Sequence, residues 1–285
     1  MHARLTIVTV LACLAGLAAG AAAAGAAPDR PPVPPPTTFW QDRPFLNMAH
    51  QGGELEAPGN TLYAFKTAIR DRGADTLEMD GYLTADGKFV ITHDLSPAPT
   101  SNIAETPLAG KTISELTLAQ LETLDFAWKF SPGKGHYGYD PNDPHPYRGI
   151  ATGQVEPPPG YTADDFKITT LEEVLAAFPD TPLNVDMKAP RSDVALADAA
   201  AVEVARIMNA HPERSEDVII ASFFQGAMEK FHELAPGHKA LTASEEALLG
   251  YISSRPIVPT PVAAQPPDLY DFGGDHVRTV PLLTY

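Results

Sequence analysis

Short apolar runs alternate with longer stretches of 3.6-residue period through the middle of this chain. Phe45-Leu46-Asn47-Met48-Ala49 predicts a first strand. Leu62, Phe65, Ala68 and Ile69 then recur on one helical face, with Asn60 or Thr61 as cap and Gly73 as stop. Residues 76–82 and 88–92 predict a second and a third strand, joined by the turn Thr84-Ala85-Asp86-Gly87. Residues 112–124 carry Ile113, Leu116, Leu121 and Leu124 at helical spacing. From Trp128 to Gly160 the period vanishes and Gly, Pro, Tyr, His and Asn dominate, which predicts an inserted loop or small subdomain, about 126–167, over the site. Its His136 and His145 are read as solvated loop residues rather than ligands.

Regular patterning resumes at Ile168. Thr170 and Glu173 form a Thr-x-x-Glu capping box ahead of a helix. Residues 183–188 alternate as a strand, and 195–210 form an Ala-rich helix with Val202, Ala205, Ile207 and Met208. Residues 217–223 predict a strand, 225–234 a helix, 239–243 a short strand and 247–252 a last helical turn. The remainder is Pro-rich, with one candidate strand at 279–283. Strands alternating with helices imply an α/β fold with a parallel sheet. Six strands and a candidate seventh fall short of the eight that close a (β/α)8 barrel, so the expectation is a barrel incomplete at its C-terminal end.

Composition adds limits. Of 285 residues, 44% are hydrophobic and 20% charged, the balance of a globular protein. With 36 acidic against 20 basic residues the net charge is −16. That argues against nucleic acid or an anionic membrane as partner. An anionic substrate would need a metal or a few placed cations. Arg4, the apolar run 5–19 and the small residues Ala24-Gly25-Ala26 match a secretory signal peptide, about 1–26, followed by a Pro-rich leader, 27–43, and the barrel domain, 44–285. A secreted or extracytoplasmic location and no stable membrane insertion after cleavage follow. Cys13, after Val10-Leu11-Ala12, offers lipoprotein anchoring as a minor alternative. Cleavage near Ala26 would leave no cysteine, hence no disulfide.

The chemistry lies near strand ends. Glu78 and Asp80 are two apart on a strand and share a face. Two such carboxylates either form surface ion pairs or hold a divalent cation, and oxygen-only ligation points to Ca2+ or Mg2+. Asp186 and Lys188 repeat the spacing, adding a carboxylate and a cation for an anionic oxygen. His50 and His93 each follow an apolar strand and suit general acid–base work near neutral pH. A metal, a lysine and two imidazoles together suit hydrolysis of a phosphodiester.

These motifs resemble those of the glycerophosphodiester phosphodiesterases. His50-Gln51-Gly52, Pro58-Gly59-Asn60-Thr61, Glu78-Met79-Asp80, Thr84-Ala85-Asp86-Gly87 and His93-Asp94 follow the family's order and spacing. Residues 170–175, Asn184-Val185-Asp186-Met187-Lys188 and Ser222-Phe223 match its later motifs. The resemblance implies a TIM-type (β/α)8 barrel with an insertion after the third strand. It implies His50 and His93 as the acid/base pair, Glu78, Asp80 and Asp186 as ligands of one divalent ion, and Lys188 as a phosphate contact. Gln51 stands in the substrate-binding position where the family has Arg, and Asp186 where it has Glu. The implied substrate is a small glycerophosphodiester. Its glycerol 2-hydroxyl would attack phosphorus to give a cyclic phosphate that water opens, leaving glycerol 3-phosphate and an alcohol. Two alternatives share these features: a barrel that binds phosphodiesters without turnover, and a sphingomyelinase D-like phospholipase whose insertion aromatics, Trp128, Phe130, Tyr137, Tyr139 and Tyr147, touch lipid.

Overall fold

The computed structural model describes residues 39–40, 46–135, 137–252, 257–264, 269–272 and 275–278. The signal segment, Cys13, most of the leader, His136 and the candidate strand at 279–283 lie outside the described residues. Contacts divide the chain into Met1–Pro34 and Pro35–Tyr285, and every described residue belongs to the second unit.

Strand β1 (Met48–Ala49) runs parallel to the first half of β2 (Thr76–Leu83), and helix α1 (Leu62–Arg72) connects them. Thr61 rather than Asn60 caps α1, its hydroxyl accepting from Ala64 N, and Gly73 ends the helix at φ 70°. β3 (Phe89–Ile91) then returns antiparallel to the second half of β2. This corrects the all-parallel expectation: the turn at Thr84–Gly87 is far too short for a parallel crossover. Lys88 N binds Thr84 Oγ1 at 2.9 Å inside that turn. At Gly81 a Cβ would lie 2.3 Å from the Phe89 ring, so the hairpin closes only over glycine.

Between β3 and the short β4 (Thr169–Thr170), antiparallel to β3, the described chain has turns and one α-turn, α2 (Leu118–Leu121). The expected helix over 112–124 is divided. Thr117 recaps the chain with Gln120 in a second capping box, so a 3-10 turn (Ile113–Glu115) and α2 replace it. Ile113, Leu116, Leu121 and Leu124 are nevertheless buried, in a satellite core with Tyr82, Val90 and Ile168.

The Thr170–Glu173 box opens α3 (Leu171–Ala177) as expected, with Glu173 Oε2 2.8 Å from Thr170 N. β5 (Leu183–Met187) pairs parallel with β2 and with β6 (Val218–Ala221), and α4 (Val194–Ala210) links β5 to β6. Ala197, Ala200, Ala201, Val204, Ala205 and Met208 of α4 enter the main core, whereas Val202 is exposed. α5 (Gln225–Leu234) leads to β7 (Thr242–Ala243), which a parallel bridge from Leu241 to Ile220 sets beside β6. α6 (Glu245–Ile252) leads to β8 (Ala263–Ala264), parallel to β7. β9 (Leu269–Phe272) and β10 (Asp275–Arg278) form a separate antiparallel hairpin. β1, β2, β5, β6, β7 and β8 thus form a parallel path with helices between them, the TIM-type barrel plan. Among the described residues, no strand pairing joins β8 back to β1.

Candidate active site

Register builds the site. On the paired strands β2 and β5, Asp80 lies opposite Asp186 and Glu78 opposite Asn184. Side chains two apart share a face, so Glu78, Asp80, Asp186 and Lys188 converge. Lys188 Nζ lies 3.1 Å from Asp80 Oδ1 and 2.9 Å from Asp186 Oδ2. Lys188 N binds Gly81 O, which keeps the lysine in register just beyond β5.

β1 ends in a 3-10 turn, His50–Gly52, in which Gln51 takes a left-handed φ of 51°. That turn aims Gln51 N at Glu78 Oε2, 2.9 Å away. His50 Nδ1 lies 3.2 Å from Glu54 Oε1, and Nε2 lies 3.9 Å from Glu78 Oε2. A protonated Nδ1 donating to Glu54 leaves the Nε2 lone pair facing the site. His93 follows β3 and its Nδ1 lies 3.3 Å from Asp94 Oδ1, which also accepts from Tyr137 OH at 2.6 Å.

Electrostatics follow from three carboxylates facing one ammonium. Burial, then the charges of Asp80 and Asp186, pushes Glu78 up to about 8, against the Gln51 N–H and Lys188. Burial likewise raises Asp186 despite Lys188. Burial works against the Lys188 charge, but Asp186 and Asp80 outweigh it and hold the ammonium above its usual range. The bond to Asp94 raises His93, partly offset by burial.

The donor set fits a hard divalent cation. The oxygens are carboxylates, the cluster carries excess negative charge, and Asp186 Oδ1 is buried without a hydrogen-bond partner. Among the described residues, no three His, Cys, Asp or Glu side chains are already grouped to hold an ion, and Lys188 Nζ contacts both Asp80 and Asp186. Glu78, Asp80 and Asp186 are the carboxylates that could hold such an ion.

Several contributors escaped the sequence reading. Asn60, expected only as a candidate cap, sits at φ 60°. It donates to Asp80 Oδ2 and accepts from Asp80 N, both at 3.3 Å. Glu54 meets His50 only because the turn with Gln51 at positive φ folds the chain back, and Tyr137 reaches Asp94 from the insertion. His145 is half-buried and engaged rather than solvated. Its ring stacks on Tyr139 and its nitrogens meet Ser131 Oγ and the carbonyls of Phe130 and Asp140.

Residues 50–256 match the model of the glycerophosphoryl diester phosphodiesterase family. Human lysophospholipase D GDPD1 is 28% identical over 142 residues, 50% of this chain and 36% of that protein. A glycerophosphodiester phosphodiesterase of Bacillus subtilis is 26% identical over 194 residues, 67% of this chain and 56% of the relative. The chain thus spans between about a third and just over half of the length of these relatives. A phosphodiesterase of Oleispira antarctica, solved in complex with the product sn-glycerol-3-phosphate, superposes with a TM-score of 0.52 at 21% identity, covering 74% of this chain and 71% of that one. This likeness shows a shared fold.

Proposed function

As the chain belongs to the glycerophosphoryl diester phosphodiesterase family, we propose that it hydrolyses glycerophosphodiesters to glycerol 3-phosphate and an alcohol, using one divalent cation, Ca2+ or Mg2+. The observation that carries this reading is the buried cluster of Glu78, Asp80, Asp186 and Lys188 beside His50. Glu78, Asp80 and Asp186 would hold the ion, which would neutralise phosphate oxygens and make phosphorus more electrophilic. Lys188 turns from its carboxylates toward a phosphate oxygen. Gln51 Nε2, buried and without a hydrogen-bond partner, donates to another, as a neutral substitute for a bidentate arginine.

His50 Nε2 takes the proton of the attacking hydroxyl, with Glu54 holding the opposite edge of the ring. His93, favoured in its charged form by Asp94, gives a proton to the departing alkoxide. The apolar run 5–19 supports an extracytoplasmic location, which N-terminal sequencing of the exported form tests.

Purified protein should release glycerol 3-phosphate from glycerophosphocholine with Ca2+ or Mg2+, and EDTA should abolish release. His50→Ala and His93→Ala should each remove activity while leaving the Tm within a few degrees. A folded sample inert toward every glycerophosphodiester would overturn the reading. If the same sample binds such diesters by calorimetry, the protein is instead a phosphodiester-binding barrel. Exposed Leu55 and Tyr137, together with the relative named lysophospholipase D, favour one second reading, in which the substrate is a lysophospholipid. Choline release from lysophosphatidylcholine vesicles separates the two.

A further inference from the structure

The insertion reaches both catalytic histidines. Ser131 and Lys134 pair as a short antiparallel bridge. Within that turn Gly133 N donates to Leu55 O at 2.6 Å, next to the Glu54 that faces His50. Just beyond the turn, Tyr137 OH donates to Asp94 Oδ1 at 2.6 Å, and His93 Nδ1 lies 3.3 Å from that same oxygen. A stretch that the barrel itself does not require is thus fastened beside each member of the acid/base pair.

Tyr137 is 70% exposed, so burial of its ring does not explain its place. The ring stands nearly perpendicular to the His93 imidazole, with centroids 6.3 Å apart. What it adds to the site is the hydroxyl. Asp94 lies in a bend after β3 rather than in a strand, and a carboxylate there has several rotamers open to it. The one adopted sets Oδ1 between the Tyr137 hydroxyl and the His93 ring. A hydroxyl donating to a carboxylate makes a strong, charge-assisted bond. Asp94 and Asp80 favour the charged form of His93 and Lys188 opposes it, and the bond to Asp94 has the largest effect.

Resting on the hydrolase reading above, we propose that Tyr137 is a positioning residue for the proton donor: its hydroxyl holds Asp94 on His93 Nδ1 and so fixes the imidazole with Nε2 free to serve the leaving oxygen. As the P–O bond breaks, its electron pair goes to that oxygen and the Nε2 proton follows. The neutral ring keeps its other proton at Nδ1, facing Asp94. Tyr137 itself touches neither phosphorus nor the alcohol. Its contribution scales with how much the leaving group needs a proton. An alkoxide leaves poorly without one, whereas a nitrophenolate leaves unaided.

The test compares the glycerol phosphodiesters of ethanol and of 4-nitrophenol in wild type and Tyr137→Phe, which keeps the ring and loses only the hydroxyl. In the variant, kcat for the ethyl ester should fall roughly 3- to 10-fold, the size of one hydrogen bond, with KM and Tm unchanged. The nitrophenyl ester should be turned over at the wild-type rate. An equal loss on both esters overturns the proposal, because a merely structural effect does not sort leaving groups. So does an ethyl-ester kcat that stays at the wild-type value, or an effect confined to KM. If the wild type turns over neither ester, the hydrolase reading fails on its own. Nitrogen-15 NMR of the His93 ring then decides the positioning role. A neutral ring protonated at Nδ1 in wild type, with the two tautomers mixed in Tyr137→Phe, supports it; the same tautomer in both proteins overturns it.

Discussion

Glu78 makes the metal-free protein less stable as pH rises. Its carboxyl is pushed to about 8 by burial and by Asp80 and Asp186, whereas in the unfolded chain it titrates near 4.5. Between those values the folded state holds a proton that the unfolded state has released, so stability falls with pH. The full penalty is about 5 kcal/mol at high pH. About 2 kcal/mol of it develops between roughly pH 6.5 and pH 8.5. Urea unfolding in EDTA across that interval reads the slope directly. Glu78→Gln keeps the shape and removes the acid, so its profile should lose about 2 kcal/mol of that fall and keep only the smaller share of the raised His93. Saturating Mg2+ or Ca2+ should also flatten the wild-type profile, since an ion among Glu78, Asp80 and Asp186 favours the ionised form and releases protons on binding. Stability in EDTA that stays level or rises over this range would refute the electrostatic reading of the cluster. A slope that no divalent cation removes would refute the ligand assignment while sparing the electrostatics.

Asn60→Gly keeps the positive φ but deletes both bonds to Asp80; divalent-ion affinity or activity should drop roughly 10- to 100-fold, read by calorimetry and turnover, and an unaltered protein would contradict the role. Arg214 is buried and binds Asp217 and the carbonyls of Phe178 and Thr181. Arg214→Leu should therefore cost about 3 to 5 kcal/mol in urea unfolding, and a loss below about 1 kcal/mol would mean that the clip is dispensable. His238, buried with Nε2 2.8 Å from Val218 O, is depressed by burial to about 4. The unfolded state binds the extra proton between that value and about 6.5, so about 3 kcal/mol should be lost as pH falls through this window. His238→Gln should remove that acid slope, and a parallel slope in both proteins would dismiss it.

Local pattern made the α1 face, the Thr170–Glu173 box and the strands carrying Glu78, Asp80 and Asp186 legible, because each rests on spacing within one element. The hairpin direction of β3 was also written in the chain. Four residues ending in glycine permit only an antiparallel return, and helix–strand alternation elsewhere masked that signal. The broken helix at 112–124 had a local cause too, as Thr117 and Gln120 restart the chain with a new cap. β4 and β8 have two residues each, too few to show a period of their own. Pairing with β3 and β7 creates them, and single-sequence periodicity carries no trace of that.

The site divides in the same way. Two charged pairs on separate strands were visible, but the register that sets Asp80 against Asp186 is a tertiary fact. Register decides the chemistry. With Asp186 one residue out of step, its side chain would point to the opposite face, and Lys188 would follow it. Glu78 would then lose a repelling neighbour and the lysine that links β2 to β5. The same reasoning explains why Gln51 was judged from sequence only by what it lacks. Its backbone N–H anchors Glu78 through a left-handed turn, and its side-chain amide faces a cavity wall contributed by the distant insertion.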